Sequence, residues 1–346
     1  MAQRWKHRPP GSNWGEFGPD DQRGRMNYVT PDKVLQGVAE VKEGRTFCLS
    51  LPLDYPGGSV LNPRRGPPRL APTLRGGAAN FCFAVAGEDP LVTDVVCDDV
   101  VLLTLQYSTQ WDSLAHVGSR FDADGDGEPE SVFYNGFRAG DDIRPGPLAP
   151  AAEPWARYEG SRADALGIQN LAEHGAQGRG VLIDLHAHFG RERRAIGHAE
   201  LMRVMAADGV TVETGDLVCL YTGFADVLLE HGRSPDPAVV HATCTGLDGR
   251  DPDLLAWISD SGCAALIADN YAVEIVPTTA LPTPHSYLPL HEHCLFKNGI
   301  HLGELWYLTE LARWLRSHGR SRFLLTAPPL RLPGAVGSPA AAVATV

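Results

Sequence analysis

The sequence predicts an α/β fold on three observations. Short apolar runs that end in polar residues, at Val100–Leu105, Gly180–Leu185 and Ala264–Asn270, have the length and composition of buried strands. Between and after them, His198–Asp208, Asp251–Gly262 and Leu305–His318 carry apolar residues at helical spacing. Strands and helices that alternate in this way pack as a sheet covered by helices. The chain of 346 residues, 43% hydrophobic, is ample for a buried core in one large domain or two smaller ones.

Taken in order, residues 11 to 32 are rich in Gly, Asp and Asn and favour turns. Thr30 then caps a helix with Pro31 at its first position, Val34, Leu35, Val38 and Val41 on one face, and Gly44 as its stop. Phe47 to Leu53 reads as a strand. Tyr55 to Gly77 carries many Pro, Gly and Arg residues and no periodicity, so it is a flap over a site, a contact with a neighbouring subunit, or a plain surface loop. Asn80–Ala86 and Val92–Val96 are short strands before the central one at Val100–Leu105. Phe121 to Glu130 begins like a calcium loop, but its twelfth position is Phe133 where a bidentate Glu is needed, so it is read as an acidic surface turn. Ala163 to Ala176 has helical character. His186-Ala187-His188 follows the strand Gly180–Leu185 and is either a metal-ligand pair or, beside the charged Arg191-Glu192-Arg193-Arg194, an exposed loop. Gly215 to Gly223 is a turn, a strand and a tight exit. Asp269, Asn270 and Glu274 stand at the end of a strand and could orient ligands, or Asp269 could cap the next turn. Phe323 to Leu325 begins the final strand.

With 42 acidic and 30 basic residues the formal charge is −12, and no Lys/Arg run is long enough for a nucleic-acid patch, so nucleic acid and anionic membranes are poor partners. No apolar stretch approaches the roughly 20 residues that span a bilayer. The opening residues are basic but lack the apolar core of a secretory signal, and a cytoplasmic location is expected. Seven scattered cysteines without a C-x-x-C pair read as reduced core thiols. Neither Cys219 nor Cys263 lies beside a His or in a polar setting, which argues against a cysteine nucleophile.

The chemistry concentrates in Gln106-Tyr107-Ser108-Thr109-Gln110-Trp111-Asp112-Ser113-Leu114-Ala115-His116. A strand that runs into two amides, a carboxylate, an indole and an imidazole delivers polar groups to the end of a rigid element, where sites are usually built. Asp112 and His116, four residues apart, could share one divalent ion, act as a base with its orienting group, or be an N-cap with a hydrogen-bonded core histidine.

This stretch resembles the signature His-x-Gly-Thr-His-x-Asp-x-Pro-x-His of the cyclase family of metal-dependent hydrolases, which includes bacterial kynurenine formamidase and isatin hydrolase. Thr109, Asp112 and His116 match it, whereas Gln106, Ser108, Gln110 and Leu114 stand where the family has His, Gly, His and Pro. Asn13-Trp14-Gly15 and Met26 to Pro31 resemble the amino-terminal arm of longer bacterial members. Tyr134-Asn135-Gly136, the Gly215–Gly223 element, Leu290-His291 followed by Gly303-Glu304, and the closing residues 327–339 also resemble family segments in the same order.

The resemblance implies a swivelling β/β/α fold with a central mixed sheet flanked by helices, divided as an arm and helix over residues 1–45, a hydrolase domain over 46–340 and a tail over 341–346. It implies hydrolysis of an amide, formamide or lactam of a small, cyclic or aromatic molecule, with Asp112, His291 and Glu304 as metal ligands and His116 as the general acid/base beside Asp112. His293 brackets the same place as His291, and His291 is preferred. Because the two histidines replaced by Gln106 and Gln110 are family ligands, a single zinc or manganese ion is expected, or none. Gln106, Gln110, Trp111, Tyr134 and Asn135 are then substrate contacts, with Trp111 as an apolar wall. A homodimer or homotetramer is expected. The alternative is a metal-free binding or assembly protein on the same scaffold.

Overall fold

The structure, a computed structural model, describes residues 3–146, 160–279 and 281–346. Residues 1 and 2, which open the expected arm and the stretch read as lacking a signal, lie outside the described residues. The fold is built on a nine-stranded mixed sheet of β1 (Thr46–Cys48), β2 (Gln110–Asp112), β3 (Gln177–Asp184), β4 (Leu217–Tyr221), β5 (Ala265–Ala268), β6 (His301–Glu304), β7 (Arg322–Thr326), β8 (Gly337–Pro339) and β9 (Val343–Thr345). Their order across the sheet is β1-β9-β7-β3-β4-β5-β6-β2-β8. The run β3 to β6 is parallel, and antiparallel strands continue it on both sides.

The parallel strands are nearly continuous apolar runs because both of their faces are covered. Alternate residues feed two cores. Val181, Ile183, Val218, Leu220 and Leu266 pack with Leu201 and Val204 of α2 (His198–Asp208) and Leu254 and Ile258 of α3 (Pro252–Asp260). Leu182, Leu217, Cys219 and Ile267 pack on the other face with Leu311, Trp314 and Leu315 of α4 (Thr309–Ser317). The α/β class and the helices at 198–208 and 252–260 are as the sequence predicts. No helix among the described residues is long and apolar enough to cross a membrane.

Several elements depart from expectation for identifiable reasons. The helix Pro31–Val38 is capped by the Thr30 side chain, yet it ends before Gly44 and leaves Leu35 and Val38 exposed. Its buried side is Lys33 and Gly37. Lys33 reaches Asp216, and Gly37 lies so close to the backbone of Gly178 that an added Cβ would sit 2.8 Å from its carbonyl. The helix expected over 163–176 shrinks to Gln169–His174, and the strand expected over 47–53 to Thr46–Cys48. The helix expected from Leu305 starts at Thr309, because Leu305 takes a left-handed backbone and Trp306 bridges to Ser50. Residues 341–346, expected as a tail, instead place β9 inside the sheet between β1 and β7.

The largest departure is at Val100–Leu105. Residues Asp99–Leu102 are not a buried central strand: they pair with Arg69–Pro72 in a two-stranded ribbon whose residues are mostly exposed. The central strand at this point of the chain is the three-residue Gln110–Asp112, too short to give a periodic signal. The cysteines also divide. Cys219, Cys244, Cys263 and Cys294 are buried free thiols, whereas Cys48, Cys82 and Cys97 are exposed, contrary to the uniform core reading.

Candidate active site

Four separate pieces of chain converge at one end of the sheet. In β2 the side chains alternate, so Gln110 and Asp112 point to one face and Trp111 to the other. Register pairs Gln110 with Glu304 at the end of β6, which sets both side chains on the same face. Thr109 ties the junction together: its hydroxyl donates to the Leu305 carbonyl at 2.5 Å and accepts from the Leu51 amide at 2.9 Å. After β5 the backbone turns through Ala272 and Val273, both left-handed, and presents Glu274. Such strain in non-glycine residues persists where the surrounding structure fixes it, and it gathers at functional sites. His291 closes the short helical turn Pro289–His291, which runs on into a π-helical turn, Glu292–Lys297.

One ligand atom each from Asp112, His291 and Glu304 lies within 4.8 Å of the others, and all three residues are buried. The His291 ring is held at both ends, with Nδ1 2.9 Å from Glu274 Oε1 and Nε2 3.1 Å from Glu304 Oε1. Glu274 also accepts the Leu290 and His291 backbone amides. The Gln110 amide donates to Asp112 at 3.2 Å and to Glu304 at 3.3 Å. His116 stands at the edge, its Nε2 3.8 Å from Asp112 Oδ1. Two buried oxygens, Asp112 Oδ2 and Gln110 Oε1, have no hydrogen-bond partner.

The electrostatics follow from burial and charge. Desolvation pushes the Asp112 carboxyl up, against the pull of His116. Burial would also raise Glu304, but the hydrogen bond and charge of His291 outweigh it and hold that carboxyl down. Burial alone would depress His291. Two flanking carboxylates reverse this and raise it to about 10, so without a metal it is an imidazolium donating to both. Two carboxylates, one with an unpartnered buried oxygen, and an imidazole whose far nitrogen is held by a third carboxylate fit a divalent cation.

The group opens into a cavity of about 600 Å³. Gln106, His116, His291 and Glu304 line its floor, and Val60, Leu61, Arg65, Tyr107, Tyr271, Val276, Tyr287 and Leu288 its walls. Residues from the long loop after Tyr55 thus cover the site, as a flap would.

Of the residues expected here, Asp112, His116, His291, Glu304, Gln106 and Gln110 come together. Trp111 does not. It is fully buried on the opposite face, donates to the Ala327 carbonyl at 2.8 Å and packs edge-on to Trp306. Tyr134 and Asn135 are not substrate contacts either. Asn135 accepts the Gly15 amide and donates to the Gly18, Pro19 and Asp21 carbonyls, pinning the amino-terminal arm, while Tyr134 is buried against Gly299. His293 turns away from its neighbour, 3.0 Å from Ser259 Oγ. His186 and His188 make separate contacts, with the Gly190 carbonyl and with Asp208. Asp269 binds the Thr222 and Gly223 amides and so is structural. The buried thiols of Cys219 and Cys263 are pushed up by desolvation, the reverse of an activated nucleophile. Sequence reasoning missed Arg65, Tyr271 and Tyr287. Arg65 lies in the loop expected as a flap and Tyr271 next to the polar strand end Asp269-Asn270, whereas Tyr287 carried no signal.

Comparison with known proteins agrees with this architecture. Residues 49–275 match the family model described as "Putative cyclase". A crystal structure described as a novel cyclase is 31% identical over 98% of this chain and 100% of that one, with a TM-score of 0.73. Isatin hydrolase A from Labrenzia aggregata, bound to benzyl benzoate, is 12% identical over 90% of this chain and 97% of its own, with a TM-score of 0.51. Isatin hydrolase A from Ralstonia solanacearum is 14% identical over 91% and 98%, with a TM-score of 0.50. No curated protein matches the chain.

Proposed function

The chain belongs to the cyclase family, and from that premise we propose that it is a metal-dependent hydrolase opening a carbon–nitrogen bond in a small amide, formamide or lactam. The observation that carries the proposal is the meeting of Asp112, His291 and Glu304, from distant parts of the chain, with one Asp112 oxygen unpartnered and with His291 and Glu304 lining a cavity. The isatin hydrolases that share the fold suggest the bond class, and the tyrosine and aliphatic walls suit a cyclic or aromatic substrate.

Asp112, His291 and Glu304 would hold one zinc or manganese ion, which when bound supplies Lewis acidity toward a carbonyl and lowers the pKa of water. The chain's own residues do the rest. Glu274 takes the Nδ1 proton of His291 in a hydrogen bond and so directs Nε2 toward the carboxylates. Gln110 fixes the rotamers of Asp112 and Glu304. His116, partly exposed and beside Asp112, is placed to carry a proton between the reacting groups and the leaving nitrogen. Gln106 offers the substrate an amide, and the loop carrying Val60, Leu61 and Arg65 limits access of bulk water.

One observation favours a second reading, a metal-free binding protein: the His291 imidazolium and the Gln110 amide already satisfy much of the carboxylate pair. Metal analysis of protein purified without chelator separates the two. One divalent ion per chain, lost together with hydrolysis of lactam or formanilide probes in Asp112→Asn and Glu304→Gln, is the expected result. A folded, metal-free protein whose ligand binding ignores both substitutions overturns the hydrolase. We also propose a homodimer or homotetramer, on the support of the apolar residues exposed along the ribbon.

A further inference from the structure

We infer that Cys82 and Cys97 form a two-thiol site on the exposed ribbon that closes to an intrachain disulfide by exchange with a small-molecule disulfide. The backbone brings them together. Asn80 and Asp98 form a junction: the Asp98 amide donates to the Asn80 carbonyl at 2.8 Å, and the Asn80 side chain to Asp98 Oδ2 at 2.7 Å. Further out, Phe83 pairs with Val96 and Ala84 with Val95. Two residues, Phe81 and Cys82, therefore oppose the single Cys97, which is a β-bulge. The extra residue is accommodated by a left-handed backbone at Cys82, with φ 51°. The bulge turns the Cys82 amide onto the Cys97 sulfur at 3.0 Å and brings the two sulfurs to 3.9 Å.

Both cysteines are exposed, and the remaining exposed thiol, Cys48, instead faces the Ser50 carbonyl. A disulfide needs about 2.05 Å between sulfurs, so a rotation about the side-chain bonds and a small closing of the ribbon suffice. In the first step one cysteine thiolate attacks the small disulfide, forming a mixed disulfide and expelling one thiolate. In the second, the other cysteine thiolate attacks the protein sulfur of that bond and expels the second thiolate. The protein loses two electrons and two protons, and the oxidant is reduced to two thiols. The product closes residues 83–96 into a loop.

The test uses the full chain and oxidised glutathione. Titration of the native reduced protein with an aromatic disulfide reagent is expected to count three accessible thiols, the exposed cysteines, and after oxidised glutathione only one. Alkylation, cleavage after Glu88 and mass analysis should show Cys82 and Cys97 joined in peptides that separate only on reduction, with Cys48 alkylated. Cys82→Ser should trap glutathione on Cys97. Retention of all three thiols, stable glutathione adducts on the unmodified sequence, a disulfide between two chains, or no adduct in Cys82→Ser would each overturn the site.

Discussion

Glu274 touches nothing in the cavity, yet it decides where His291 points. Its carboxylate accepts two backbone amides and the Nδ1 side of the ring, leaving Nε2 toward Glu304. Glu274→Gln should weaken divalent-ion affinity by roughly 10–100-fold, the usual effect of removing such a support. Calorimetric titration with manganese checks this, and unchanged affinity would reduce Glu274 to a helix-turn anchor. His116→Gln should act differently. Metal content should stay at one per chain while kcat falls by roughly 10²–10⁴-fold, as when a general acid/base is removed. A proportional loss of metal would instead make His116 a ligand. At this scale Asp112 and His116 were legible as a carboxylate and an imidazole in a segment dense in polar groups, although the strand expected before them lies elsewhere, and His291 and Glu304 were placed by resemblance. The sequence misled at Trp111, although alternation along a strand already sets that ring opposite its two neighbours. Tyr134 and Asn135 were placed by resemblance alone, with no physical signal to distinguish a substrate contact from a clamp on the arm.

Elements are held by buried charge as well as by apolar packing. At the start of β4, Asp216 accepts two bonds from Arg179 at 2.8 and 2.9 Å, lies 3.2 Å from Lys33 and takes the Glu213 amide, joining the helix Pro31–Val38, β3 and β4. Asp216→Asn leaves two buried cations without their carboxylate and should cost about 3–5 kcal/mol. A loss of less than about 1 kcal/mol in unfolding free energy, read from urea titration, would show that Glu213 takes over. Two histidines make stability depend on pH. Burial lowers His293 and His301 to about 4, against about 6.5 in the unfolded chain. A depressed imidazole contributes stability above its unfolded pKa that is lost as pH falls toward the folded value, on the order of 3 kcal/mol for each. Asp269, raised to about 6 by burial, works in the opposite direction, since its contribution is present at low pH and lost as pH rises through 6. The two imidazoles outweigh the one carboxyl, so the melting temperature should fall between pH 6.5 and 4. His293→Gln keeps an acceptor for Ser259 and Asn298 and should make that fall shallower. An equal slope in the variant would remove His293 from the account.

Across the whole molecule, the parallel strands and the helices at 198–208 and 252–260 were legible because long apolar runs and strict spacing leave few alternatives. The antiparallel margins were not. Strands of three residues, such as β1, β8 and β9, have no period to read and are fixed by partners far along the chain. The same ambiguity hid the ribbon, since an apolar run reads alike whether its own chain or another covers it. Leu70 and Val101 are directly opposed across its two strands, at 73% and 47% exposure, so one face of the ribbon presents paired apolar side chains to solvent. Monomers seldom leave such surface uncovered, and an edge with unpaired backbone groups invites a second copy. The protein at micromolar concentration should therefore sediment as a dimer or tetramer. Leu70→Asp should shift it toward monomer without changing its circular dichroism, because the side chain supports no core of its own subunit. A wild-type monomer, or an assembly indifferent to Leu70→Asp, would place the contact elsewhere and leave the ribbon to cover something other than its own kind.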